Sequence, residues 1–304
     1  VVGFQSDRSN FLLAGTEAFM PPSVTQSHSL FIFEELSPLE KLRFQIGGRY
    51  DNINVRSVDN PVFGSSVDRS FDNFSGSVGA VFTPDENYAA ALTLTYSGRA
   101  PTAQELFANG AHAATNTFEV GNAALGIENS IGIDLNVRKR TGWVTGSIGG
   151  YYTRYSNFIG LFPTGTFDIP SGFEIFNYQS VDATFVGGEL EAQFHLLHPL
   201  EGTEADTPRT NLHWEVRADA VRARNDNGGG SLPRVPPFHL TNALVFQRGG
   251  LTTRLEGIYA APQARTAANE LRTDSYFLVN ASINYQFKIA RNICDLFIKG
   301  MNLT

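Results

Sequence analysis

Apolar and polar residues alternate with a period of two through segment after segment of this chain, a pattern that few folds can satisfy. Ala90, Leu92, Leu94 and Tyr96 share one face, and Ala89, Ala91, Thr93 and Thr95 the other. Ile131, Ile133, Leu135 and Val137 alternate with Gly132, Asp134, Asn136 and Arg138. The same rhythm runs from Val186 to Leu196, from Leu212 to Ala220 and from Phe277 to Phe287. Successive side chains on a strand point to opposite faces, so period two is a strand signal; helical spacing fits none of these segments as well. The fold class is all-β. Several segments hold their register for about 11 to 13 residues, whereas strands of globular proteins average about 5–6.

A tilted strand needs roughly 9–11 residues to cross a bilayer, which these segments supply. Tyr50, Phe82, Tyr88, Tyr96, Trp143, Tyr152, Tyr155 and Phe287 lie near segment ends, where interfacial aromatic girdles sit. No stretch approaches the roughly 18–20 apolar residues of a membrane-spanning helix. Charged residues make up 17% of the 304, below the ~25% usual for soluble domains, while Gly (29), Phe (24) and Tyr (10) are heavily used. The net charge of −7 argues against a nucleic-acid partner held by bulk charge. A single cysteine, Cys294, excludes an internal disulfide framework and a Cys-cluster zinc site. The competing reading is a large soluble sandwich or propeller whose polar face meets water.

About thirteen strands are expected: 1–10, 26–36, 41–52, 71–83, 87–98, 125–139, 142–157, 173–197, 211–224, 238–248, 251–262, 274–287 and 293–302. Their connections alternate between short (Ser37–Glu40, Pro84–Glu86, Arg140–Thr141, Gly249–Gly250, Lys288–Asn292) and long (Phe11–Thr25, Ile53–Ser70, Gly98–Ala124, Phe158–Gly172, Asn225–Pro237, Pro262–Thr273). Tight turns at one end of a meander and long loops at the other describe an outer-membrane barrel. His198–Thr210 departs from this, as a long connection on the short side. With the apolar face toward lipid, Arg43, Arg49, Asp134, Glu189, Glu191, Glu215, Arg217, Asp219, Arg254 and Glu256 form a polar wall facing the lumen. Membrane sheets cannot leave edges in hydrocarbon, and an odd strand count is unusual. The expectation is therefore an antiparallel up-and-down transmembrane β-barrel, present in part over residues 1–304. Assembly of one barrel from several chains is the alternative.

Tyr96-Ser97-Gly98-Arg99-Ala100-Pro101-Thr102-Ala103-Gln104-Glu105-Leu106-Phe107 resembles the Arg-Ala-Pro…Glu-Leu box of TonB-dependent outer-membrane receptors. The text continues as Asn109-Gly110-Ala111-His112-Ala113-Ala114-Thr115, Phe118-Glu119-Val120-Gly121-Asn122, Leu125 and Glu128-Asn129-Ser130. This wording is most similar to the zinc and metal-uptake branch. Gly47-Gly48-Arg49-Tyr50-Asp51, Leu232-Pro233-Arg234-Val235-Pro236-Pro237 and Gly300-Met301-Asn302-Leu303-Thr304 add further matches. The resemblance implies a 22-stranded barrel with an N-terminal plug, of which the plug and closing strand or strands are not in this sequence. It also implies a setting in the outer-membrane lipid of a Gram-negative bacterium. A metal ion or metal chelate would bind at the extracellular side and be imported with energy from the TonB–ExbB–ExbD complex, acting through the plug. The alternatives are a haem or siderophore receptor of the same fold, or a passive porin.

His112 is the most informative candidate, with Glu105 and Glu119 as further metal ligands and Asn109 and Asn116 nearby. Neutral imidazole and carboxylate suit zinc. The related haem receptors imply an iron-ligating role for this histidine, although the usual Asn-Pro-Asn-Leu text is replaced by Gly121-Asn122-Ala123-Ala124-Leu125. A structural contact with rim or plug is the plain alternative. Arg99, Pro101, Glu105, Leu106, Gly121 and Asn122 are the family-motif residues of the loop. His195 and His198 are three apart, so a strand would turn them to opposite faces. His28, His213 and His239 lack a ligand cluster in sequence. Phe158, Phe162, Phe167 and Phe173 could stack on an aromatic siderophore, though loop packing is the commoner use. No G-x-S-x-G, P-loop, HExxH or Rossmann pattern is present, and Gly228-Gly229-Gly230 precedes no helix, so neither an enzyme nor a resident cofactor is expected.

Overall fold

The computed structural model describes residues 1–15, 18–197 and 210–304. Thirteen strands follow one another in chain order as a single antiparallel meander. They are β1 (Val2–Phe11), β2 (Ser23–Leu39), β3 (Leu42–Ser57), β4 (Asp68–Phe82), β5 (Tyr88–Arg99), β8 (Glu128–Lys139), β9 (Val144–Phe167), β10 (Glu174–Leu197), β11 (Thr210–Asn225), β12 (His239–Arg248), β13 (Leu251–Ala260), β14 (Tyr276–Ile289) and β15 (Asn292–Gly300). The β5–β8 connection contains one helical turn, α1 (Ala103–Phe107), and two short strands, β6 (Asn109–His112) and β7 (Thr117–Val120). The path ends at β1 and β15, which do not pair with each other.

The expected strands are all present, but several extend further on the long-loop side. β3 continues to Ser57 and pairs with a β4 that begins at Asp68, where a loop was expected from Ile53 to Ser70. β9 likewise reaches Phe167, through most of the expected 158–172 loop. The apolar outward stripe stops before the backbone ladder does. Hydrogen bonding between strands needs no apolar face, so hydropathy marks the boundary of a greasy belt rather than the end of the sheet. The long connection from His198, and His198 itself, fall outside the described residues, which resume at Thr210.

One face of the sheet is bare of any second layer. Ile131 (65% exposed), Leu94 (52%) and Ile283 (52%) are among the many large apolar side chains left uncovered on it. That disposes of a two-layer sandwich, whose inner face would bury these residues. At the short-turn end of the same face Trp143, Phe194 and Trp214 lie ring to ring, with centroids 5.9 and 4.8 Å apart.

The opposite face carries the expected polar wall, much of it paired. Arg254 donates to Glu215 and to Glu256, both at 2.7 Å. Arg217 pairs with Glu191 at 3.1 Å, directly opposite it in the β10–β11 register. Arg49 donates to Asp51 at 2.8 Å and to the Ser29 hydroxyl at 2.7 Å. Arg43 lies 3.6 Å from Glu35, and His239 3.3 Å from Asp219. Asp134 faces Tyr151, and Glu189 faces Asp219, across the strand register. The ion pairs among these let charges of both signs share one face of the sheet.

Candidate functional site: the folded loop at the long-loop end

The β5–β8 connection is a small folded unit. Thr102-Ala103-Gln104-Glu105 forms a capping box: the Thr102 hydroxyl accepts from the Glu105 backbone N–H at 3.3 Å, and the Glu105 carboxylate accepts from the Thr102 backbone N–H at 2.7 Å. Five residues are too few to hold a helix by themselves. α1 persists because Leu106 and Phe107 pack into a cluster with Val55, Phe71, Ala100, Leu125 and Ile159, and Pro101 beside them is fully buried. After the helix the chain forms the β6–β7 hairpin. β7 then lies parallel against the upper end of β10, Thr117 to Val120 opposite Glu174 to Asn177. Gly121 closes the unit: its N–H donates to the Ala108 carbonyl at 2.7 Å, and a Cβ there would stand 2.6 Å from the Phe107 nitrogen. Asn122 donates through its backbone to the Glu105 carbonyl at 2.8 Å, and its side chain caps Ala124.

Arg99, the last residue of β5, clamps this unit to the sheet. Its guanidinium holds Glu128 with two hydrogen bonds, at 3.2 and 3.0 Å, and Glu105 with a third at 2.8 Å. Glu128 also accepts from the Ile159 N–H at 2.8 Å. One planar fork thereby ties the ends of β5 and β8, the helix and β9 together, which a point-charge lysine could not reproduce.

Glu119 is the second centre. It is 1% exposed and accepts from His112 Nδ1 (2.8 Å), Gln104 Nε2 (2.8 Å) and the Tyr178 hydroxyl (2.9 Å). Burial pushes its carboxyl up, but the hydrogen bonds from His112, Gln104 and Tyr178 outweigh burial and hold it below the usual carboxylate range. The His112 ring stacks on Phe19, centroids 4.2 Å apart and planes 12° from parallel. With Nδ1–H committed to a carboxylate that can only accept, Nε2 carries the lone pair, on a side chain that keeps 27% of its surface accessible.

Of the three expected ligands, the fold unites His112 with Glu119 and places Glu105 in the Arg99–Glu128 cluster. Among the described residues no group of three or more His, Cys, Asp and Glu side chains could hold a metal ion. Phe158 and Phe162 pack into the cluster around Ala183, Ala223 and Leu232, Phe158 also meeting Tyr155 and Phe185, whereas Phe167 is exposed. His28 sits beside Ser6. His213 is not isolated, since it meets His195 across the β10–β11 register. Sequence reading did not single out Phe19 or Tyr178, and quoted Gln104 and Glu128 only within the motif text. The T-x-x-E text before Leu106-Phe107 was a legible helix start, but Tyr178 is 59 residues from Glu119 and no local pattern joins them.

The motif residues Arg99, Pro101, Glu105, Leu106, Gly121 and Asn122 thus have a shared physical task, which is to fix one loop conformation over the long-loop end of the sheet. The TonB-dependent receptor-like β-barrel family matches residues 2–303. The chain belongs to that family. The meander of this receptor barrel superposes on the copper transporter OprC with a TM-score of 0.77 at 18% identity, over 92% of this chain and 42% of that one. Ferric citrate transporter FecA in its unliganded form gives 0.71 at 14%, over 99% and 46%. The ferric yersiniabactin uptake receptor FyuA from Yersinia pestis gives 0.58 at 15%, over 91% and 44%. At these identities the likeness is one of fold, and the chain spans less than half the length of each of these proteins.

Proposed function

We propose that this chain is barrel wall of a receptor in the outer membrane of a Gram-negative bacterium. The receptor binds a metal chelate at its long-loop, extracellular end and imports it with energy from the TonB–ExbB–ExbD complex. Membership of a receptor family supports transport rather than catalysis. The names of the structural neighbours, which include copper, iron and siderophore transporters, support a metal-containing cargo. The uncovered apolar face suits a hydrocarbon surround.

The observation that carries the ligand class is the Glu119–His112 pair. A carboxylate on one imidazole nitrogen orients the ring and raises the basicity of the other, the arrangement that supports metal-ligating histidines. A bare zinc ion wants three or four protein donors, and the described residues do not gather them. A chelate brings most of its own donors and needs one more, which favours an iron chelate or haem with an open position over a naked ion. The test is equilibrium binding of zinc, a ferric chelate and haem to the full receptor and to His112→Ala. A tenfold or greater loss for a chelate, with zinc binding weak in both proteins, is the expected result. Equal affinity of both proteins for all three would remove His112 from the site.

A further inference from the structure

The inner face carries a second meeting of imidazoles, at the short-turn end of the sheet and far from the folded loop. β10 and β11 place His195 directly opposite His213, on the face that also bears Glu191, Gln193 and Glu215. Glu119 lies beside Phe176 on the same β10, so the two histidine sites are separated by roughly 60 Å of strand. The β10–β11 register slips between His195 and Leu197. Such a bulge bends a strand and re-aims the side chains next to it.

The two rings are nearly perpendicular, at 88°, with their Nδ1 atoms 3.1 Å apart and their centres 5.0 Å apart. Two nitrogens that far apart, each about 2.0–2.1 Å from one ion, subtend about 100° at it. That angle lies between the square-planar and tetrahedral values, and it would set the ring centres about 4.8 Å apart. His195 Nε2 also lies 3.0 Å from the Thr145 hydroxyl on β9. A histidine that donates Nε2–H to a hydroxyl has its proton off Nδ1, the tautomer a metal requires, and metal-ligating histidines are commonly oriented by such a partner. With His195 in its Nε2–H tautomer, a neutral His213 donates Nδ1–H to His195 Nδ1; on metal binding His213 shifts to its own Nε2–H tautomer, so both Nδ1 lone pairs turn to the ion and both rings stay neutral.

We propose that His195 and His213 form a two-imidazole chelate for a copper(II) ion inside the lumen at its short-turn end. Neighbouring Glu215 is committed to Arg254 at 2.7 Å, so the two imidazoles are the donors on which the site rests. The preference for copper follows from the general order of affinities for nitrogen sites. The site does not depend on the cargo proposed above, because it uses neither His112 nor Glu119.

The test uses the full, untagged receptor in detergent, stripped of metal and titrated with copper(II) alone. Electron paramagnetic resonance should show a site with two nitrogen ligands that survives in His112→Ala. The two-nitrogen pattern should disappear in His213→Asn and in His195→Asn, with at least tenfold weaker binding, and zinc(II) should compete only at higher concentration. Because either variant could disturb the bulge, the wild type is also modified with diethyl pyrocarbonate, with and without copper(II). Copper should protect both His195 and His213, as read by peptide mass spectrometry. An unchanged spectrum in His213→Asn, or equal modification of both histidines with and without copper, would overturn the proposal and leave an ordinary imidazole–imidazole hydrogen bond between strands.

Discussion

Glu119 shows how one buried charge can organise a loop. Three half-buried donors from β6, α1 and β10 converge on it, so its loss removes their shared acceptor at once. Glu119→Gln keeps the shape but removes the charge, and each stranded donor costs about 1–3 kcal/mol. Amide exchange across residues 103–125 of the full receptor should quicken at least tenfold in that variant, with exchange in the long strands unchanged. The carboxylate is held below its usual range, so its contribution is complete at neutral pH and is lost only as pH falls through the lowered value. Loop protection should therefore hold through neutral and mildly acidic pH and fail only below the ordinary carboxylate range. Loss of protection well above the ordinary carboxylate range would show that the Glu119 charge is not what holds the loop. Gly121→Ala tests the closure: the added Cβ meets backbone nitrogen and carbon atoms that cannot move aside, at about 1–3 kcal/mol.

At the scale of elements, the folded loop and the sheet are separable. Arg99 is the principal ionic tie between them, and its value lies in the fork geometry. Arg99→Lys should leave strand content unchanged by circular dichroism while opening the 100–127 segment to limited proteolysis. Resistance equal to wild type would mean that the apolar cluster around Leu106 and Phe107 holds the loop unaided. Within the sheet, neighbouring residues on β8 should respond oppositely to the same change. Ile133→Arg places a charge on the bare apolar face and should cost about 2–4 kcal/mol near the middle of the bilayer. Asp134→Arg, on the polar wall, should cost little by comparison. Refolding into lipid vesicles under urea would measure both, and equal costs would refute the assignment of faces.

For the whole molecule, the question is whether cargo passes by diffusion or by work. A receptor that couples to TonB should lose accumulation of a radiolabelled ferric chelate when the inner-membrane gradient is collapsed with a protonophore. A passive pore would keep equilibrating. The family match is to a receptor β-barrel, so coupling is a property to be measured on the full receptor.

The thirteen long strands, their order and the identity of the two faces were legible from residue order alone, because a period of two is a local property that each long strand displays by itself; the short β6–β7 hairpin was not. Composition and the Arg99–Phe107 text then narrowed the fold to a receptor barrel. The extra length of β3, β4 and β9 was not legible, since backbone pairing continues where the apolar stripe has stopped. Nor could sequence show that Glu105 answers Arg99 and Glu128 while Glu119 answers His112 and Tyr178. Loop carboxylates can reach many partners, and only the path of the chain through space brings one set within hydrogen-bonding distance. The His195–His213 pair has the same origin: histidines 18 residues apart become neighbours when an antiparallel register sets them face to face.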